Sequence, residues 1–347
     1  MTLGPLMVGI EGAALTAEER EILMHPAVSG VVLFTRNYRD PEQLAALCDA
    51  IHGVRDPALL VTVDQEGGAV QRFRSGFTRL PAPGALGPIY DQDPDRARGL
   101  ARITAWLMAA ELRACGVDLS FAPVLDLGRG VSSVIGRRAF HRNSGAVASL
   151  GYAWVRGMRD AGMAAVGKHY PGHGSVVADS HIALPQDNRT LAEIAAADLV
   201  PFQRLAASGL PAVMTAHVVY PEVDDRPASF SRQWIREILR RRIGFQGAVF
   251  SDDLGMEAAV SVGEMEQRIE TALEAGCDAA LVCAHELVAP VIDAVGAHPD
   301  PASAMRLARL HGRPAADRTT LRQSREWADA VAAVRDYDPD PEDELEL

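Results

Sequence analysis

Cysteine is scarce in this chain: Cys48, Cys115, Cys277 and Cys283 are the four in 347 residues, they stand far apart, and no CxxC pair occurs. Buried, reduced thiols fit that spacing better than a disulfide framework or a zinc knuckle. Basic charge is also short. Lys and Arg total 34 against 46 Asp and Glu, a formal charge of −12, the wrong sign for neutralising phosphates, so nucleic acid is not expected as a partner. No run approaches the roughly 18 uninterrupted apolar residues of a membrane helix, so no membrane association is expected either. No basic residue precedes the apolar stretch at 1–8, and Glu11 soon interrupts it. A secretory signal is therefore not indicated, and a cytoplasmic location is expected. The sequon Asn188-Arg189-Thr190 then reads as chance.

What is present is an ordinary globular mixture, 48% hydrophobic and 23% charged. Short apolar runs, rich in strand-forming residues, alternate with segments whose apolar residues fall at helical spacing, the signature of a parallel sheet with crossover helices. Eight runs occur, at 6–10, 30–34, 59–64, 117–122, 164–168, 212–217, 248–252 and 279–283. Helices are predicted at 16–23, 41–51, 95–115, 146–160, 191–207, 231–241, 263–275 and 286–295. Near-continuous apolar strands suit an inner wall buried on both faces. The expected fold class is α/β, one (β/α)₈ TIM-type barrel over residues 1–312, with a doubly wound open sheet as the alternative. Residues 313–347 are expected to form one more helix, 321–334, and a solvated acidic tail.

In such a barrel the working groups sit at the C-terminal ends of the strands. Polar residues collect there. Run three ends in Asp64-Gln65-Glu66-Gly67-Gly68 with Gln71-Arg72 behind it, and run four gives Asp126 and then Gly136-Arg137-Arg138. Run five leads into Lys168-His169-Tyr170-Pro171-Gly172-His173-Gly174, then Asp179-Ser180-His181; run six ends at His217 and run seven in Ser251-Asp252-Asp253. Asp253 reads as the N-cap of the next helix. Asp252 terminates an apolar run, and an unpaired carboxylate in a partly dry mouth is costly unless function retains it. Pro171 and Gly172 break any helix between His169 and His173, which weakens a zinc-hydrolase reading while leaving a His169, His173, Asp179, His181 metal site open. In Asp179-x-His181 the carboxylate can fix one imidazole nitrogen and raise the basicity of the other, an arrangement suited to general acid/base work.

These residues resemble glycoside hydrolase family three, in particular its bacterial β-N-acetylhexosaminidases. The loop 168–174 (KHYPGHG) with Asp179, Ser180, His181 and Pro185 carries the likeness. So do 30–38 (GVVLFTRNY), 64–73 (DQEGGAVQRF), 117–127 (VDLSFAPVLDL), 214–221 (MTAHVVYP), 250–256 (FSDDLGM) and 275–278 (AGCD). The resemblance implies a (β/α)₈ barrel and retaining hydrolysis of terminal β-linked N-acetylglucosamine, with peptidoglycan-derived muropeptides as substrate. It implies Asp252 as nucleophile and His181, assisted by Asp179, as acid/base. It implies Asp64, Arg72, Arg138, Lys168 and His169 as the sugar-binding groups, with His217 and Asp126 as further candidates near the pocket floor. No metal and no organic cofactor is expected, and a monomer is.

Two positions depart from the family pattern: Ala69 stands where a basic residue is common, and Arg137 where an acidic one is. The family's β-glucosidases usually add a second domain that supplies their acid/base carboxylate, so a chain ending after the barrel agrees with an acid/base on the barrel's own loop. The alternatives are a metal-dependent amidohydrolase, a sugar-binding protein without turnover, and a phosphorylase of the same family that transfers the sugar to phosphate.

Overall fold

A computed structural model describes residues 2–176, 184–295 and 300–338 of the chain. The predicted runs form eight strands: β1 (Leu6–Gly9), β2 (Val28–Leu33), β3 (Leu60–Val63), β4 (Leu119–Ser120), β5 (Ala164–Tyr170), β6 (Ala212–Thr215), β7 (Ala248–Asp253) and β8 (Ala279–Val282). Each pairs in parallel with its sequence neighbours, and β1 closes the ring on β8 with Leu6 opposite Ala280 and Met7 opposite Leu281. Ring closure eliminates the open doubly wound sheet. The strands β1, β2, β3 and β6 are buried throughout, as a wall covered on both faces requires. Inside the ring Phe121 meets Phe250 edge to face at 5.6 Å.

Helices wrap the barrel, and their starts follow from local chemistry. Thr16 and Glu19 form a capping box on α1 (Ala17–Met24), Asp40 caps α2 (Pro41–His52), Asp93 caps α3 (Pro94–Arg113) and Asn143 caps α4 (Ser144–Asp160). The predicted helix 191–207 is two helices, α5 (Leu191–Ala196) and α6 (Leu199–Ala207). The cause is Pro201, whose ring would strike the carbonyl of Ala197 in a continuous helix. The shell continues with α7 (Gln233–Arg242), α8 (Met265–Ala275), α9 (Val288–Val295) and α10 (Pro301–Ala308). Two C-terminal helices, α11 (Arg318–Gln323) and α12 (Arg325–Tyr337), replace the single one expected at 321–334. They lie against α3, where the Trp327 indole N–H donates to Glu111 at 2.9 Å and Tyr337 and Thr104 hydroxyls meet at 2.9 Å.

The ends of β3, β4, β5 and β7 converge on one mouth. Past β3 the chain folds into a tight antiparallel ribbon, Gln65–Gly67 against Val70–Gln71. Gly67 and Gly68 turn it at φ 106° and 58°, backbone that favours glycine. β4 is shorter than the run predicted at 117–122, although the Asp118 and Phe121 N–H groups still donate to the Val61 and Val63 carbonyls of β3.

Candidate active site

At that mouth lies a cavity of about 410 Å³ lined by polar groups from β3, β4, β5 and β7 and by apolar Phe34, Val134, Ile135 and Met256. Of the residues singled out from sequence, Asp64, Arg72, Arg138, Lys168, His169 and Asp252 all line it. Asp179 and His181 lie outside the described residues.

The polar wall is an ion network. Lys168 Nζ sits 2.5 Å from Asp64 Oδ1 and 2.6 Å from Glu66 Oε1. Arg138 grips the same Glu66 through two parallel bonds, Nε to Oε2 at 2.9 Å and an η nitrogen to Oε1 at 2.8 Å, the strong planar geometry open to a guanidinium. Burial pushes the Glu66 carboxyl up, but Arg138 and Lys168 outweigh it and leave the group well below the usual carboxylate range. Burial likewise disfavours both cations, and their carboxylate partners more than restore them, so Lys168 and Arg138 stay charged. Arg72 makes no hydrogen bond or ion pair to another described residue; its guanidinium lies 5.8 Å from the Phe34 ring centre. A cation held only by an aromatic face is available to a ligand.

On the opposite side stand two adjacent carboxyl groups with different surroundings. Asp252 Oδ1 accepts the Asp253 N–H at 2.9 Å, and no other described residue hydrogen-bonds its side chain. Burial raises Asp252, yet His169, His217, the Asp253 N–H and Lys168 outweigh that and hold it below its ordinary value. Asp253 is raised by burial, and the charge of Asp252 adds to the shift. Its Oδ1 ties down the Gly255 and Cys283 N–H groups at 3.0 and 3.1 Å. Asp253 is therefore a turn anchor and not the helix cap predicted, since Met256 occupies the N-cap of the helix Glu257–Val260. Surroundings that separate two carboxyls in this way assign the ionised role to Asp252.

His169 is oriented from behind: its Nδ1 lies 2.6 Å from Asp126 Oδ2, and Asp126 Oδ1 takes the His173 N–H at 2.6 Å. That leaves His169 Nε2 for the cavity. His173 also lines the cavity, and burial pushes its imidazole down to about 4. His217 lies beneath the floor, its Nε2 2.9 Å from the Asp253 carbonyl and its ring stacked on Phe230. Asp126 and His217 thus act on the site through other residues. Sequence reasoning gave Glu66 no role and weighed His173 only as a metal ligand, although both stand in the strings that carry the other site residues. Among the described residues no group of three or more His, Cys, Asp or Glu is placed to hold a metal ion.

Comparison with known proteins agrees with this geometry. The model of the glycosyl hydrolase family 3 N-terminal domain matches residues 5–305. The chain is 59% identical to a β-hexosaminidase of Alkalilimnicola ehrlichii over 348 aligned positions, covering 100% of both chains. Among solved structures it resembles NagZ from Neisseria gonorrhoeae in complex with N-trifluoroacetyl-D-glucosamine, at TM-score 0.92 and 44% identity over 97% of this chain and 98% of that one. A zinc complex of the same NagZ matches at TM-score 0.91 and 44% identity, with the same coverage. A match across nearly the whole barrel, with the polar groups at its mouth, means that this chain belongs to glycosyl hydrolase family 3.

Proposed function

We propose that the chain is a retaining β-N-acetylglucosaminidase acting through a covalent glycosyl-aspartate. It removes terminal, non-reducing β-linked N-acetylglucosamine from peptidoglycan-derived muropeptides, such as GlcNAc-1,6-anhydro-MurNAc, during cell-wall recycling in the cytoplasm. One observation carries the reading: a half-buried carboxylate, Asp252, kept ionised at the edge of a sugar-sized cavity whose far wall offers charged hydrogen-bonding groups. Relatives named β-hexosaminidase and a NagZ bound to an N-acylated glucosamine support the choice of amino sugar.

The Asp252 oxygen not held by the Asp253 N–H attacks C1 as the C1–O bond to the leaving group breaks, through an oxocarbenium-like transition state. The departing oxygen takes its proton from His181, which Asp179 orients. Water then attacks C1, its proton passes to His181, and the Asp252 ester breaks with β configuration retained. The Asp252 charge faces the positive charge developing at C1, while Lys168, Arg138 and Asp64 hold the ring hydroxyls.

A slow fluorinated N-acetylglucosamine-type substrate should label Asp252, read by peptide mass spectrometry; label on another residue overturns the mechanism. Asp252→Ala should lose at least about 10³-fold in kcat. His181→Ala should spare aryl substrates with good leaving groups far more than poor ones, and equal losses would remove it from the acid role. Activity should survive exhaustive chelation, and products made with and without phosphate should both be free sugar. A sugar 1-phosphate would make the enzyme a phosphorylase.

A further inference from the structure

We propose that Glu66 is the positioning residue of the sugar-binding wall: its buried carboxylate clamps Arg138 and Lys168 in one arrangement and decides which of their N–H groups remain for a ligand. The inference deepens the function just proposed and relies on it for the ligand's identity, not for the clamp.

Glu66 is 1% exposed and cannot itself touch a sugar. Its backbone is fixed: the preceding Gln65 N–H is held by the Ser120 hydroxyl at 3.0 Å, the Gln65 amide donates to the Phe73 carbonyl at 2.9 Å, and the Gly68 N–H is held by the Leu80 carbonyl at 2.8 Å. From that rigid ribbon one carboxylate meets both cations, Oε1 being shared between Arg138 and Lys168.

The donor inventory follows. An ammonium has three N–H groups; Lys168 directs one to Asp64 and one to Glu66, which leaves one. A guanidinium has five; Arg138 uses two on Glu66 and one on the Val134 carbonyl, which leaves two. The wall therefore presents donors from both cations beside the acceptor Asp64. Groups that accept and donate at once, as ring hydroxyls do, satisfy it; a group that only accepts leaves Asp64 unmet. Lys168 is also the one lysine among the chain's 34 Lys and Arg residues. Its head is a compact point charge with three donors that can turn towards both carboxylates at once, where a guanidinium offers a rigid planar fork.

The charged groups facing Lys168 are Asp64, Glu66 and Arg138, with Asp252 across the cavity. Removing the Glu66 charge leaves a buried ammonium with one direct carboxylate partner, so its proton is held less tightly. Because lysine occurs once, full-length protein labelled with ¹⁵N-lysine gives a single side-chain ammonium signal. In Glu66→Gln the Lys168 titration midpoint should fall by at least one pH unit. The alkaline limb of kcat/KM should move with it, and kcat/KM on an aryl N-acetylglucosaminide should drop 10- to 100-fold, mainly through KM. Glu66→Asp keeps the charge but shortens the arm, so it should keep the Lys168 midpoint within half a unit of wild type and lose about tenfold in kcat/KM as the double grip on Arg138 fails. A lowered melting temperature with an unmoved Lys168 midpoint and pH profile in Glu66→Gln overturns the proposal. So does a shifted midpoint in Glu66→Asp, the variant that decides should Glu66→Gln not fold. Wild-type protein inactive on the aryl glycoside would defeat the proposed function, while the ¹⁵N titration would still decide the clamp.

Discussion

Asp252 and Asp253 are neighbours on one strand end, and a single atom separates their chemistry in substitution as well as in charge. Asparagine at 253 keeps a carbonyl oxygen for the Gly255 and Cys283 N–H groups. Asp253→Asn should therefore fold and lose no more than about tenfold in kcat, about 1.4 kcal/mol. Asp253→Ala orphans the part-buried Cys283 N–H at about 1–3 kcal/mol, while the exposed Gly255 N–H can turn to water, so its melting temperature should fall below that of Asp253→Asn. Equal effects of Asn and Ala in a thermal scan would show that the turn does not depend on that oxygen. Residue chemistry was partly legible in the sequence. Asp252 could be picked because an apolar run ends on it, and Lys168 and His169 because prolines and glycines break the segment after them. Glu66 could not, since its meaning lies in two partners 72 and 102 positions away in the chain, a separation no local pattern records.

At the scale of elements, the closest helix pairing depends on a missing side chain. A Cβ at Gly157 of α4 would lie 2.2 Å from the Arg102 carbonyl oxygen and 2.9 Å from the Ala105 Cβ of α3. Alanine in a helix interior is worth up to about 1 kcal/mol over glycine, but overpacking against backbone costs about 1–3 kcal/mol. The clash should win. Gly157→Ala should lower the urea midpoint with little change in the slope, and a raised midpoint would show that α3 and α4 can move apart at no cost. The eight strands were readable because near-continuous apolar runs alternate with period-3.6 segments eight times; the helix number was not, since 191–207 and the C-terminal helix are each two and Pro301–Ala308 was not expected. The break between α5 and α6 was signalled by Pro201 yet hidden by apolar spacing that runs across it. The ribbon Gln65–Gly67, which carries Glu66, is too short for any period to show.

Across the whole molecule the buried titratable groups tilt towards instability in acid. His173 is held down to about 4 by burial, and His217 is lowered for the same reason. Unfolded histidine takes its proton near pH 6.5, so from there down towards pH 4 the unfolded chain binds more protons than the folded one. Stability therefore falls as pH falls. Glu66, Asp118, Asp126 and Asp252 steepen the loss further down, because their folded values lie below their unfolded ones and their contribution disappears as pH drops through the folded values. Asp253, raised by burial, is the one shifted carboxyl among the described residues that opposes them. At about 1.4 kcal/mol per pH unit, His173 alone should take about 3 kcal/mol from the fold as pH drops from 7 towards 4, a sizeable loss against the roughly 5–15 kcal/mol that holds a domain folded. Calorimetry between pH 7 and 5 should find a falling melting temperature and an uptake of one to two protons on unfolding. His173→Gln should remove about one of them. A melting temperature flat across that range, or an uptake that the substitution leaves intact, would mean that His173 is already charged in the folded protein. The cavity would then set an imidazolium, and not a neutral ring, beside Asp126 and within the field of Asp252.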